Sequence, residues 1–185
     1  MPVNATNDTL GWLAPSFNLL DISDNYISLD QLKGDNGTVI AFICNHCPYV
    51  IAIAERLSFE AKELKKLSIN MIAIMSNDIE QYPEDSFDNM KLFAKKYDFE
   101  FSYLYDETQE VAKSYGAVCT PDIFGFNSSL ELMYRGRIDS GVMNSDNTKV
   151  DRELFLAMNK IKNEGVGPKD QLNSFGCSIK WKANE

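Results

Sequence analysis

Two apolar runs in the first half of the chain constrain its fold most strongly. Residues 38–43 (TVIAFI) and 69–75 (INMIAIM) are apolar almost without interruption. Such runs are typical of strands that are covered on both faces. Between them, from about residue 48 to residue 67, apolar residues recur at helical spacing on one stripe. A buried strand, an amphipathic helix and a second buried strand predict an α/β fold with a sheet covered on both faces.

Shorter elements continue this layout on both sides of the two buried strands. Residues 17–20 and 26–29 predict a hairpin, and a polar loop is expected at 77–83. Next, a helix is predicted over 86–97 and a strand over 102–105. A capping box at 106–109 predicts the start of a helix that ends at Gly116. The last predicted elements are a hairpin of strands 122–126 and 131–138 and a helix over 152–163. We expect one domain over residues 1–185, with an irregular tail from about residue 165.

Composition and charge exclude several classes of function. The chain has 185 residues and a net charge of −9 without a basic cluster, which argues against nucleic-acid or anionic-membrane partners. It contains no apolar stretch long enough to cross a bilayer. Residues 1–8 lack the basic and apolar regions of a signal peptide, so a cytoplasmic protein is expected.

Two of the four cysteines form a candidate redox site. Cys44 and Cys47 follow the first buried strand, where the next helix is predicted to begin. A helix N-terminus offers unpaired amides and a partial positive charge, and both stabilise a thiolate. One thiol of such a pair attacks a disulfide and the other resolves the mixed disulfide. A zinc site would need four ligands, whereas the chain has a single histidine, His46, and no second cysteine pair. We therefore expect no metal and no cofactor.

The residues around the pair are expected to tune it. His46 lies between the two cysteines beside Asn45, and its imidazolium would favour the thiolate and raise the reduction potential. The two remaining cysteines, Cys119 and Cys177, are expected to be buried and inert. The alternative is that one of them relays electrons to or from the dithiol.

Several motifs together resemble the redoxin, or AhpC/TSA, family of the thioredoxin-like superfamily. They are GWLAPSFNLLD at 11–21, FICNHCPYV at 42–50, CTPD at 119–122 and GCSIKW at 176–181. The cysteine motifs are similar to a bacterial branch of thioredoxin or thiol–disulfide isomerase type. This resemblance implies a thioredoxin fold, a central mixed sheet flanked by helices, with an extra N-terminal hairpin and an inserted helical segment around 77–98. It also implies that Pro121, after Thr120, is a cis-proline facing the dithiol.

Three functions fit these residues. The first is a thiol–disulfide oxidoreductase whose partners are protein or small-molecule thiols and disulfides. The second is a thiol peroxidase using Cys47, although Cys44 stands where peroxiredoxins carry a hydroxyl residue. The third is a copper-binding protein of the Sco type, although the spacing of its two cysteines is wider and it uses a distant histidine.

The sequence leaves open which thiol attacks. The usual order in Cys-x-x-Cys enzymes makes the first cysteine, Cys44, the nucleophile. Pro48 is suited to the first helical position, which would place Cys47 at the N-cap, where a thiolate gains most from the helix end. The Cys47-Pro48 match to peroxiredoxins also favours Cys47. On the usual order, we expect Cys44 to attack.

Overall fold

A seven-stranded mixed sheet forms the centre of the structure, a computed structural model that describes residues 2–5, 9–143 and 150–183. The strands are β1 (Pro2–Asn4), β2 (Asn18–Asp21), β3 (Tyr26–Ser28), β4 (Gly37–Phe42), β5 (Ile69–Met75), β6 (Ser102–Tyr105), β7 (Cys119–Thr120), β8 (Asp122–Phe126), β9 (Leu132–Gly136) and β10 (Phe175–Ser178). The α-helices are α1 (Leu29–Leu32), α2 (Pro48–Lys65), α3 (Phe87–Lys96), α4 (Glu110–Tyr115) and α5 (Glu153–Glu164).

The strand order of the large sheet is β3-β2-β6-β5-β4-β8-β9. β5 pairs in parallel with β4 and β6, and the remaining pairs are antiparallel. Every residue of β4 is buried because it lies at the centre of the sheet, with α2 and α5 on one face and α4 on the other. The predicted α/β fold with a central mixed sheet flanked by helices is confirmed.

The two expected additions to this core are present. β2 and β3 form the N-terminal hairpin, which joins the sheet through pairing of β2 with β6. Between β5 and β6 the chain forms a 3-10 helix at Pro83–Asp85 and then α3. This inserted segment lies beside the end of β4, where the cysteine pair is located.

The predicted irregular tail was wrong in one important respect. β10 pairs antiparallel with both β7 and β1, and the three strands form a second small sheet. Phe175, Cys177 and Ile179 alternate there with small or polar residues, which is a period-2 pattern, but a run this short does not show which distant strands it pairs with. No helix among the described residues is long and apolar enough to cross a membrane.

The predicted capping box at 106–109 was also wrong. α4 begins only at Glu110, and its N-cap Gln109 has a φ of 64° and makes no side-chain cap. Asp106 lies before the N-cap and still binds the helix. Its buried carboxylate accepts hydrogen bonds from the Ala112 amide at 2.9 Å and from the Ser76 hydroxyl at 2.9 Å. Asp106 therefore links the first turn of α4 to the end of β5.

We predict that Asp106→Ala lowers the free energy of unfolding by about 2–3 kcal/mol, because two buried donors lose a charged acceptor. Urea denaturation of the reduced protein measures this loss. Asp106→Asn keeps one acceptor oxygen and should cost less. Equal losses for the two variants would contradict the role assigned to the hydrogen bonds.

Candidate active site: a buried dithiol at the start of a helix

The end of β4 and the start of α2 hold the two candidate catalytic cysteines. Cys44 lies just beyond β4, Cys47 is the N-cap of α2, and Pro48 occupies the first turn of that helix. Pro48 fits there because its ring fixes a helical φ and the first turn needs no amide donor. Both cysteines are free, and both have 0% of their surface exposed. The dithiol therefore lies buried at a helix N-terminus.

Thr120 lies directly against the two sulfurs, and Pro121 follows it in the chain. The peptide bond between them is cis, as the resemblance implies. The Cys47 thiol donates a hydrogen bond to the Thr120 carbonyl oxygen at 3.1 Å. The Thr120 hydroxyl lies 3.3 Å from Cys44 Sγ. One residue of β7 thus contacts both thiols, through its backbone and through its side chain.

A buried carboxylate, Asp85, organises the loop between the cysteines. It accepts hydrogen bonds from the amides of Asn45 (2.8 Å) and His46 (3.2 Å), and from the side chain of Asn77 (2.7 Å). Its Oδ2 lies 2.7 Å from His46 Nδ1. The His46 ring is also stacked on Tyr82, with centroids 5.5 Å apart. His46 is therefore oriented by the inserted segment and not by the dithiol alone.

Sequence reasoning did not single out Asp85. Asp85 lies in the inserted segment expected around 77–98, but nothing local to that segment indicates which distant loop the carboxylate binds. Asn45, which was predicted to tune the site, is held by two partners. Its side-chain oxygen accepts from the Tyr103 hydroxyl at 3.0 Å, and its side-chain nitrogen donates to the Glu84 carbonyl at 3.1 Å.

The surroundings of the two thiols shift their pKa values in opposite directions. Hydrogen bonding from Cys44, opposed by burial and helped by the thiol and amide of Cys177 and the amide of Val50, lowers the pKa of Cys47 to about 5. Hydrogen bonding to Cys47, burial and the negative charge of Asp85 raise the pKa of Cys44 well above its ordinary value. The Thr120 carbonyl favours the protonated Cys47, but the donors outweigh it. Cys47 is thus the thiolate of the pair.

The other two cysteines differ in their relation to the dithiol. Cys177, on β10, packs against the apolar cluster that includes both Cys44 and Cys47. Burial and hydrogen bonding with Cys47 raise the pKa of Cys177 to about 11. Cys119, on β7, is fully buried with its sulfur 3.5 Å from the Pro121 carbonyl oxygen, and burial raises its pKa.

Three groups of this site could in principle approach a metal ion. Cys44 Sγ, a ring nitrogen of His46 and a carboxylate oxygen of Asp85 lie within 4.8 Å of one another. Against a metal, His46 and Asp85 already bind each other at 2.7 Å, and the raised pKa of Cys44 disfavours the thiolate that a metal requires. These residues fit a redox dithiol better than a metal centre.

A dithiol at a helix start beside a cis-proline, on this mixed sheet, defines a thioredoxin-like redox protein. Residues 10–140 match the AhpC/TSA family, and the chain belongs to that family. It is 32% identical over 119 residues to chloroplastic peroxiredoxin Q of Sedum lineare, a match that covers 63% of this chain and 58% of that protein. The chain thus spans less than two thirds of the length of this curated relative.

Solved structures resemble the chain over its whole length. An uncharacterized conserved protein from Geobacillus kaustophilus is 42% identical, with a TM-score of 0.93 over 100% of this chain and 98% of its own. A hypothetical protein from Sinorhizobium meliloti is 34% identical, with a TM-score of 0.91 over 98% and 99% of the two chains. At 19% identity, a secreted disulfide oxidoreductase of Mycobacterium tuberculosis shares the fold, with a TM-score of 0.54 over 63% and 80%. The thioredoxin-like fold expected from the motifs is confirmed.

We predict that Cys44→Ala raises the pKa of Cys47 from about 5 toward its ordinary value, because the variant removes the donor that contributes most to lowering it. Alanine is chosen because a serine hydroxyl would still donate. The ultraviolet absorbance of the thiolate, followed against pH in the reduced protein, measures the midpoint. Cys119→Ala serves as the control and should leave it unchanged. A midpoint near 5 in Cys44→Ala would contradict the assignment.

Proposed function

We propose that the protein is a thiol–disulfide oxidoreductase that works through the Cys44–Cys47 dithiol. The observation that carries this proposal is the placement of two free thiols at the start of α2, with Cys47 at the N-cap and both sulfurs against Thr120. The surroundings favour the thiolate at Cys47 and the protonated thiol at Cys44. A dithiol prepared in this way has a nucleophile and a proton donor within one turn of chain. Its partners are thiols and disulfides of proteins or small molecules.

Cys47 is the attacking thiol in this proposal, against the expectation from the usual order. It occupies the N-cap of α2, and its pKa is the lower of the two. Its thiolate attacks one sulfur of a disulfide, forming a mixed disulfide and releasing the other sulfur as a thiolate. Cys44 then loses its proton and attacks Cys47 Sγ. The Cys44–Cys47 bond forms, the second substrate thiolate leaves, and two electrons have passed from the dithiol to the substrate.

The residues around the dithiol set its redox balance. The negative charge of Asp85 opposes a thiolate at Cys44, and the ring of His46 binds that carboxylate at 2.7 Å. Asn45 fixes the loop through Tyr103 and Glu84. Thr120 contacts both sulfurs from the opposite side, and its hydroxyl can exchange a hydrogen bond with Cys44 while the leaving substrate thiolate takes up the proton that Cys44 loses.

A second candidate function is a thiol peroxidase that uses Cys47. The similarity to peroxiredoxin Q supports it, as does the low pKa of Cys47. In this reaction the Cys47 thiolate would attack a peroxide oxygen, giving a sulfenic acid and releasing an alcohol or water. Cys44 would then attack the sulfenic sulfur, forming the disulfide and water. Cys44 stands at the position of the hydroxyl residue, and the Thr120 hydroxyl lies 3.3 Å from its sulfur.

Equilibration with mixtures of reduced and oxidised glutathione tests the first function. We predict a disulfide confined to the peptide carrying Cys44 and Cys47, seen by mass spectrometry after alkylation. Cys47→Ser should abolish the exchange, and Cys119→Ser should retain it. Absence of a Cys44–Cys47 disulfide in any mixture would overturn the proposal. Stopped-flow consumption of peroxide distinguishes the second function, because an oxidoreductase without peroxidase activity consumes peroxide no faster than a free thiol does.

His46 and Asp85 should shift the reduction potential in opposite directions. His46→Gln removes a ring whose protonated form would stabilise the reduced form, so the potential should fall by up to ~30 mV, equivalent to ~1.4 kcal/mol for two electrons. Asp85→Asn removes the negative charge that raises the pKa of Cys44, so the potential should rise at alkaline pH, where Cys44 ionises more readily in the variant. Equilibrium with glutathione measures both shifts.

The matched control for this pair is Asp30→Asn, which removes an exposed carboxylate paired with Lys33 far from the site. It should leave the potential unchanged. No shift in His46→Gln would mean that Asp85 and solvent screen the ring completely from the dithiol.

A further inference from the structure

The chain places one of its own strands on the edge of β7, beside the dithiol. β10 runs antiparallel to β7, with Cys177 opposite Thr120 and Ser178 opposite Cys119. Exposed strand edges next to a binding site commonly pair with an extended segment of a partner. Here that edge is already filled by residues from the C-terminal region.

The contact between the two strands is very close. A Cβ added to Gly176 would lie 2.0 Å from the Thr120 carbonyl oxygen and 3.0 Å from Pro121 Cδ, so only glycine fits. Phe175 covers the neighbouring surface with its ring edge-on to Tyr49, at a centroid distance of 5.1 Å. β10 is therefore seated directly on Thr120, the residue that touches the two sulfurs.

Anchors on both sides keep the strand in this position. Before it, the Ser174 hydroxyl donates to the Gly136 carbonyl at 2.7 Å. After it, the Lys180 carbonyl accepts from the Asp78 amide at 2.9 Å, and the Lys180 amide donates to the Asn77 side chain at 2.9 Å. Asn77 also binds Asp85, so the anchor of β10 and the loop of the dithiol share a partner.

The register directs the side chain of Cys177 toward the dithiol. Residues opposite each other in an antiparallel pair project on the same face, with Cβ atoms about 5 Å apart. The Thr120 side chain on that face contacts Cys44 Sγ, and the Thr120 carbonyl accepts the Cys47 thiol proton. Cys177 accordingly packs against the cluster that holds both cysteines. Cys119 is the next residue along β7, so its side chain projects to the other face.

We propose that Cys177 is a second resolving thiol, which attacks Cys47 and forms a Cys47–Cys177 disulfide. The inference rests on the proposed function, since it requires a reactive Cys47. Cys177 occupies the place that a cysteine in a substrate strand would take, opposite Thr120 and beside the Cys47 sulfur. The protein therefore carries two routes out of a mixed disulfide at Cys47, one through Cys44 and one through the C-terminal strand.

The reaction with oxidised glutathione shows how bonds, protons and electrons balance in this step. The Cys47 thiolate attacks one sulfur of the glutathione disulfide, forms the mixed disulfide and releases one glutathione thiolate. Cys177 gives up its proton and attacks Cys47 Sγ, and the second glutathione thiolate leaves and takes up a proton. Two protein thiols have been oxidised to one disulfide, and one glutathione disulfide has been reduced to two thiols.

The test uses the full chain with Cys44→Ser, which removes the first route and keeps a hydroxyl donor beside Cys47. The reduced variant is treated with oxidised glutathione, quenched with acid, alkylated and mapped by mass spectrometry. We expect loss of the glutathione adduct in favour of a Cys47–Cys177 disulfide. Cys44→Ser/Cys177→Ser should instead keep one glutathione on Cys47. Cys44→Ser/Cys119→Ser is the matched control and should behave as Cys44→Ser does.

Each outcome decides a separate point. A stable adduct on Cys47 in Cys44→Ser, equal to that in Cys44→Ser/Cys177→Ser, would overturn the role of Cys177. If Cys44→Ser keeps this adduct while the unmodified protein forms a normal Cys44–Cys47 disulfide, the proposed function stands and only the role of Cys177 is lost. No reaction of the unmodified protein with oxidised glutathione would instead remove the proposed function. Circular dichroism of each variant ensures that the compared proteins are folded.

Discussion

The buried carboxylate of Asp85 is the interaction on which the candidate site depends. It binds the backbone amides of Asn45 and His46, the His46 ring and the side chain of Asn77. A buried charge is tolerated only when its hydrogen-bonding capacity is satisfied, and four donors achieve this here. The same carboxylate that fixes the loop also opposes ionisation of Cys44. Geometry and electrostatics at the dithiol therefore have a common origin in the inserted segment.

The asymmetry between the two thiols follows from their positions in one short turn. Cys47 is the N-cap of α2 and lies among donors, whereas Cys44 is nearer to the negative charge of Asp85. Each thiol also acts on the other, because Cys44 donates to the Cys47 sulfur. Ionising Cys47 thus makes the ionisation of Cys44 harder. A reactive thiolate and a retained proton are two results of the same contact.

Much of the fold could be predicted from local sequence. Local patterns predict β4 and β5 from their apolar runs and α2 from its apolar stripe. Pro48 likewise indicates where α2 begins and therefore that Cys47 is its N-cap. The place of Asp85 and the pairing of β10 depend on contacts between residues that are far apart along the chain. No period in residues 175–178 indicates that a glycine there must fit against the Thr120 carbonyl. The cis peptide bond before Pro121 came only from the family resemblance.

The small sheet of β1, β10 and β7 brings both ends of the described chain to the dithiol. Val3 is the register partner of Gly176, and the next residue of β10, Cys177, is the partner of Thr120. A change that displaces β1 or β10, or cleavage of the segment before β10, would therefore act on the redox site without altering any residue of the Cys44–Cys47 loop.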